Sequence, residues 1–161
     1  MERLKIVVLG DSHGEIKNLD FIMKDLKDTD YIIHTGDYFN DGEYIAKNYG
    51  MNVIGVRGNC DFTSQGEEEI IKNIGGKRFF IAHGHQYGIK YDLNRFFYRG
   101  RELDADIIIF GHSHMPYYSV EDGIILLNPG SISQPRGGSF KSFAIVRIEK
   151  GEISAEIISI D

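Results

Sequence analysis

The sequence is short of several features that would assign it a class at once. It holds a single cysteine, Cys60, which excludes an intramolecular disulfide framework and fits a reducing compartment. It has no basic excess: 18 Lys and Arg stand against 24 Asp and Glu, a net charge of -6 that argues against stable nucleic-acid binding. No apolar run approaches the roughly 20 residues that cross a bilayer, and the start shows no charged-then-apolar leader pattern. A cytoplasmic location without membrane association is therefore expected. Repeats, linkers and low-complexity stretches are also lacking, and 161 residues suffice for one substantial core, so residues 1–161 read as a single domain.

What is present is a series of apolar runs that each stop at glycine and a polar group. Residues 4–9, Leu-Lys-Ile-Val-Val-Leu, have the β-branched character of a strand buried on both faces, and they end at Gly10-Asp11-Ser12-His13-Gly14. Ile16, Leu19, Ile22, Met23 and Leu26 then recur at three- and four-residue steps, the spacing of an amphipathic helix. A second strand over residues 31–35 ends at Gly36-Asp37, a short helix is expected over 41–48, and a third strand over 52–56 delivers Arg57-Gly58-Asn59-Cys60-Asp61. Residues 67–82 read as a hairpin around Gly75-Gly76 that ends at His83-Gly84-His85. A helix over 91–103 and a strand over 106–110 lead to Gly111-His112-Ser113-His114. Short strands follow at 117–120, 124–127, 143–148 and 153–160, with the loop Asn128-Pro129-Gly130-Ser131 among them. The β-α-β-α-β first half and the antiparallel second half predict an α/β fold of two sheets packed face to face and flanked by helices.

Seven side chains thus stand at strand ends beside glycines: Asp11, His13, Asp37, Asn59, His83, His112 and His114. Glycine at such positions lets backbones approach closely enough for the side chains to converge. In open α/β sheets ligands collect beyond the carboxyl ends of the strands, which is where these groups lie. Seven mixed oxygen and nitrogen donors are too many for one tetrahedral zinc and suit two ions. Their imidazole content favours manganese, iron, nickel or zinc over magnesium or calcium. Two such ions about 4 Å apart or slightly less form a clamp for in-line displacement at phosphorus, so the expected reaction is phosphoester hydrolysis.

Taken in order, Gly-Asp-Ser-His (10–13), Gly-Asp (36–37), Gly-Asn-Cys-Asp (58–61), His-Gly-His (83–85), Gly-His-Ser-His (111–114) and Asn-Pro-Gly-Ser (128–131) resemble the motifs of the calcineurin-like metallophosphoesterases. Within them the chain is most similar to the small YfcE-type phosphodiesterases. The resemblance covers essentially the whole chain and implies the two-sheet metallophosphoesterase fold. It further implies that Asp11, His13 and His114 bind one metal ion and Asn59, His83 and His112 a second, with Asp37 bridging. A hydroxide held between the ions would be the nucleophile, and Asn59, Asp37 and His112 would be the catalytic residues. Manganese is the first expectation for the pair of ions. The substrate implied is a small phosphodiester, with Asn59 touching its phosphate, and relatives of this type are often dimers or larger.

One position departs from the wider family, whose motif has a histidine, thought to protonate the leaving group, where this chain has Cys60. A thiol is a poor substitute for imidazole in that role, so diesters with good leaving groups are the expected substrates. Arg136, in a Gly-rich loop, is a candidate bidentate donor to the substrate phosphate. His34 sits mid-strand and reads as a packed residue, His85 as a candidate for lining the site, and Asp61 as a turn residue or an orienting group. The acidic run 67–69 reads as a solvated strand edge. A phosphomonoesterase, a nucleotide pyrophosphohydrolase and a non-catalytic scaffold of the same fold, like the retromer subunit, remain as alternatives.

Overall fold

The computed structural model describes residues 3–10, 22, 28–36, 46–47, 50–58, 67–89, 92–133 and 135–160. Two mixed five-stranded sheets face each other. The first runs in the order β10-β9-β1-β2-β3, formed by β1 (Arg3–Leu9), β2 (Tyr31–His34), β3 (Asn52–Gly55), β9 (Ser142–Glu149) and β10 (Glu152–Ser159). The second runs β4-β5-β6-β8-β7, formed by β4 (Glu69–Ile74), β5 (Lys77–Ala82), β6 (Ile107–Ile109), β7 (Pro116–Glu121) and β8 (Ile124–Pro129). In the first sheet β1, β2 and β3 are parallel; in the second β5, β6 and β8 are.

Period-two alternation sorts the apolar side chains into layers. Ile6 and Val8 of β1 point between the sheets, where they pack with Ile33, Phe79, Ile81, Ile107, Ile109 and Leu127. Val7 and Leu9 point the other way, into a cluster with Ile32, Phe143 and Ile145. All four β1 residues are fully buried, which is why the run carries no polar alternation. On the far face of the second sheet, Phe80, Ile108, Phe110 and Leu126 pack against the helix α1 (Asn94–Glu102) through Phe96 and Phe97. A β-carbon on Gly100 would overlap Ile108, so glycine sets how closely α1 approaches β6.

The helix begins at Asn94, later than the spacing suggests, with Leu93 as its N-cap residue and Asp92 just ahead of it accepting from the Asn94 N–H at 3.0 Å. It closes on Asp104 at φ 55°, with the Ala105 N–H donating to the Gly100 carbonyl at 3.0 Å. Among the described residues α1 is the one regular α-helix. The helices expected over 16–26 and 41–48 lie outside the described residues, save that Ile22, Ala46 and Lys47 are helical and Ile22 is buried against the outer face of the first sheet. Among the described residues no helix is long and apolar enough to cross a membrane.

The acidic run 67–69 leads into the edge strand β4 with Glu67 and Glu68 exposed, as the solvated-edge reading expects, and it also makes contacts across segments. Glu67 forms a parallel bridge to Val56, its carbonyl accepting from the Arg57 N–H at 2.8 Å. Glu68 pairs with the Arg57 guanidinium at 3.0 Å, and Glu69 accepts from the Tyr87 hydroxyl. The run ties the end of the first sheet to the start of the second through the Glu67 backbone and the Glu68 carboxylate.

Candidate metal centre

The parallel strands of both sheets end at one place. Past its last paired residue, β2 continues with the Thr35 N–H donating to the Leu9 carbonyl at 3.0 Å, and the Val56 N–H donates to the His34 carbonyl at 3.1 Å. A β-carbon on Gly10 would overlap Thr35 Oγ1. At Gly36, with φ 108°, the obstacle includes backbone: its β-carbon would stand 2.8 Å from His83 Nδ1 and 2.9 Å from the Gly58 nitrogen. Gly10, Gly36 and Gly58 directly precede Asp11, Asp37 and Asn59. Those three residues, with His13, Cys60 and Asp61, lie outside the described residues.

His83 follows β5 and is fully buried, with Nδ1 2.9 Å from the Thr35 carbonyl oxygen. A carbonyl only accepts, so Nδ1 carries the proton and Nε2 the lone pair. This is the tautomer a metal-ligating histidine takes when a carbonyl orients its other nitrogen. Around it the ring of His112 lies at 5.0 Å and that of His85 at 5.4 Å, with 6.2 Å between His85 and His112. The fully buried His34 differs, since its Nδ1 accepts from the Gly36 N–H at 3.1 Å. It braces the Gly36 turn from the last position of β2 rather than from mid-strand, and is packed as expected.

His85 opens a single 3-10 turn, His85–Tyr87, that is pinned on several sides. Gln86 accepts from the Gly84 N–H at 3.2 Å and donates to the Glu68 carbonyl at 3.3 Å. The Tyr87 ring packs on Phe96 at 5.1 Å and meets Phe80 edge-on at 6.2 Å. Burial, and then the hydrogen bond to the Glu69 carboxylate, push the Tyr87 phenol up to about 12, while Arg99 pulls it the other way.

The loop 111–114 supplies the other described histidines. His112 has φ 69° and His114 φ 60°, conformations that a side chain with a β-carbon rarely adopts. His114 is 1% exposed, and its carbonyl accepts from the backbone N–H of Arg136 at 3.2 Å. The Arg136 loop is itself folded tightly, with the Arg136 carbonyl accepting from the Ser139 N–H at 3.1 Å and from the Ser139 hydroxyl. A β-carbon on Gly137 would strike the Met115 sulfur, so the loop packs directly beside His114 while the Arg136 residue stays exposed.

Of the expected donors, then, the structure brings His83 and His112 together, adds His85, and sets His114 two residues beyond His112. Among the described residues no three His, Cys, Asp or Glu side chains complete a metal cluster by themselves. Three of the four expected imidazole donors, His83, His112 and His114, lie in described segments; His13 and the expected oxygen donors Asp11, Asp37 and Asn59 do not. What is present fits a divalent cation: a buried imidazole in the ligating tautomer, and a glycine cradle that a β-carbon would fill. Sequence reasoning missed two supporting residues. Tyr87 sits two positions past His85 with no motif to mark it, whereas Asn128 stood in the Asn-Pro-Gly-Ser motif without an assigned role.

A family model described as the calcineurin-like phosphoesterase superfamily domain matches residues 4–151. A probable metallophosphoesterase of Bacillus subtilis, YsnB, is 36% identical over 148 residues, covering 91% of this chain and 85% of its own. The phosphodiesterase YfcE of Escherichia coli is 24% identical over 172 residues, covering 89% and 87% respectively. Among solved structures, a conserved uncharacterized protein of Streptococcus pneumoniae, described as a predicted phosphoesterase, superposes with a TM-score of 0.83 at 28% identity. That match covers 99% of this chain and 91% of the other.

Proposed function

This chain belongs to the calcineurin-like phosphoesterase superfamily, and from that premise we propose that it is a single-domain, metal-dependent phosphodiesterase acting on small phosphodiesters. Asp11, His13 and His114 would hold one divalent ion and Asn59, His83 and His112 a second, with Asp37 shared between them. Manganese is the first expectation that the family resemblance implies, and the imidazole donors also suit nickel, zinc and iron. Two such ions supply Lewis acidity that makes water nucleophilic near neutral pH and offsets the charge of the phosphate.

The chain's own groups do the rest. His83 gives its Nδ1 proton to the Thr35 carbonyl and keeps the Nε2 lone pair for coordination. Asn59 contacts the substrate phosphate, and Arg136, on the loop joined to His114, forks onto its non-bridging oxygens. The observation that carries the reading is the His83 tautomer inside the glycine cradle of Gly36 and Gly58.

The test is hydrolysis of a chromogenic aryl phosphodiester and of its monoester by metal-stripped protein, with manganese, nickel, zinc or magnesium added back. Diester turnover that needs metal and is lost in Asp37→Asn and His83→Ala supports the proposal. Turnover of the monoester alone replaces it with a phosphomonoesterase. Metal uptake without turnover of either substrate replaces it with a scaffold or an enzyme of narrow specificity.

A further inference from the structure

Asn128, at the end of β8, is fully buried, and each hydrogen-bonding atom of its amide has a partner. Nδ2 donates to the Gly111 carbonyl at 3.1 Å and to Ser113 Oγ at 3.0 Å. Oδ1 accepts from the Gly130 N–H at 2.9 Å. Ser113 Oγ in turn accepts from the Met115 N–H at 3.3 Å, so the anchoring runs from Gly111 to Met115. Between these anchors stand His112 and His114, the two residues at positive φ. A left-handed residue bearing a β-carbon is strained, and such strain persists only where the surroundings over-determine it. Released from its anchors, the loop gains by rotating back to negative φ, and that rotation would carry both imidazoles away.

We infer that Asn128 is a positioning residue: its amide holds the 111–115 loop in the strained form that presents His112 and His114 together, and thereby sets the affinity of the centre for divalent metal. The metal half of this inference rests on the proposed function; the loop half does not. Asn128→Asp is the informative change. It keeps the oxygen that receives the Gly130 N–H but faces the Gly111 carbonyl with an acceptor instead of a donor. Ser113→Ala, at a half-buried position with little folding risk, removes the second anchor alone.

Two readouts decide it. In metal-stripped Asn128→Asp, manganese affinity measured by calorimetric titration falls about 10- to 100-fold, the usual cost of losing a group that orients ligands. In metal-free protein, amide hydrogen exchange at residues 112–115 quickens at least about tenfold, while β6 and β8 keep wild-type protection. Ser113→Ala shifts both in the same direction by less, and carries the test if Asn128→Asp does not fold. A lower unfolding midpoint with manganese affinity and loop exchange within twofold of wild type would overturn the inference, since Asn128 would then be a packing residue only. Wild-type protein that takes up none of manganese, nickel, zinc or iron removes the enzyme reading, and the exchange measurement still decides whether Asn128 holds the loop.

Discussion

His83 donates its Nδ1 proton to the Thr35 carbonyl across 2.9 Å, joining the end of β5 in one sheet to the end of β2 in the other. The bond fixes the imidazole and also gives a buried carbonyl its partner. His83→Ala removes both functions. Besides losing metal-dependent turnover, the metal-free variant is less stable by about 1–3 kcal/mol, the cost of leaving a buried polar group unsatisfied. Urea unfolding of the metal-stripped proteins measures this. A change below about 0.5 kcal/mol, as for an ordinary surface substitution, would mean that the bond does not help to hold the sheets.

Gly10 and Gly36 both admit no β-carbon, but for different reasons, and their alanine variants separate them. At Gly10 the obstacle is the Thr35 hydroxyl, which a rotamer change can move aside. At Gly36 it is the backbone of Gly58 and the anchored His83 ring, at a φ of 108°. Gly36→Ala therefore adds backbone strain of about 1–2 kcal/mol to overpacking of about 1–3 kcal/mol. Gly10→Ala is expected to cost less than Gly36→Ala in denaturant unfolding. The reverse order would show that the crowding at Gly36 relaxes.

These sites also show why some of the molecule was legible in the sequence. A strand buried on both faces has no polar positions, so residues 6–9 declared themselves, and a hairpin needs its turn glycines, so 75–76 did too. The glycines before Asp11, Asp37 and Asn59 were readable, and at Gly36 only glycine fits where it meets Gly58 and His83. Partners distant in sequence were not readable. Glu69 reaches Tyr87 and Asn128 reaches Gly111 through single hydrogen bonds that impose no period on the chain. For the same reason the run 67–69 showed its solvated edge but not the Arg57 and Tyr87 donors that meet Glu68 and Glu69.

The Tyr87 phenol gives a pH dependence with a definite sign. Its pKa is raised from 10.0 to about 12, first by burial and then by the Glu69 carboxylate. The folded state thus keeps a proton that the unfolded chain gives up near pH 10. The stabilisation is complete below pH 10 and is lost as pH rises from 10 to 12. Solvent screening at this half-buried position keeps it small. Tyr87→Phe has no such titration, so its stability falls less steeply than that of wild type over this interval. Denaturant midpoints at half-unit steps of pH measure the two slopes, and equal slopes would contradict the assignment.

Cys60 bears on the leaving group. With cysteine where the wider family has histidine, no imidazole is available at that position to protonate a departing alkoxide. The proposed enzyme should then cleave aryl diesters much faster than alkyl ones, because a phenoxide leaves without help. Plotting the logarithm of kcat against leaving-group pKa should give a steep negative slope, and Cys60→His should flatten it. Similar rates for alkyl and aryl diesters would mean that another group supplies the proton.

Arg136 tests the substrate side of the same proposal, and here the local geometry decides what the mutant should do. Its backbone N–H is tied to the His114 carbonyl and its neighbour Gly137 lies against Met115, so the loop keeps its place without the side chain. Arg136→Ala therefore removes a guanidinium and little else; stability should change by less than about 0.5 kcal/mol, as for an exposed residue. A guanidinium that holds the phosphate equally in ground and transition states contributes uniform binding, and its loss raises KM while kcat stays near wild type. If it meets charge that develops only during displacement, kcat falls instead. Lysine supplies a charge but not a planar fork, so Arg136→Lys should recover only part of the loss if the contact is bidentate. Unchanged kcat and KM in both variants would remove Arg136 from the site and leave phosphate recognition to Asn59 and the metal ions.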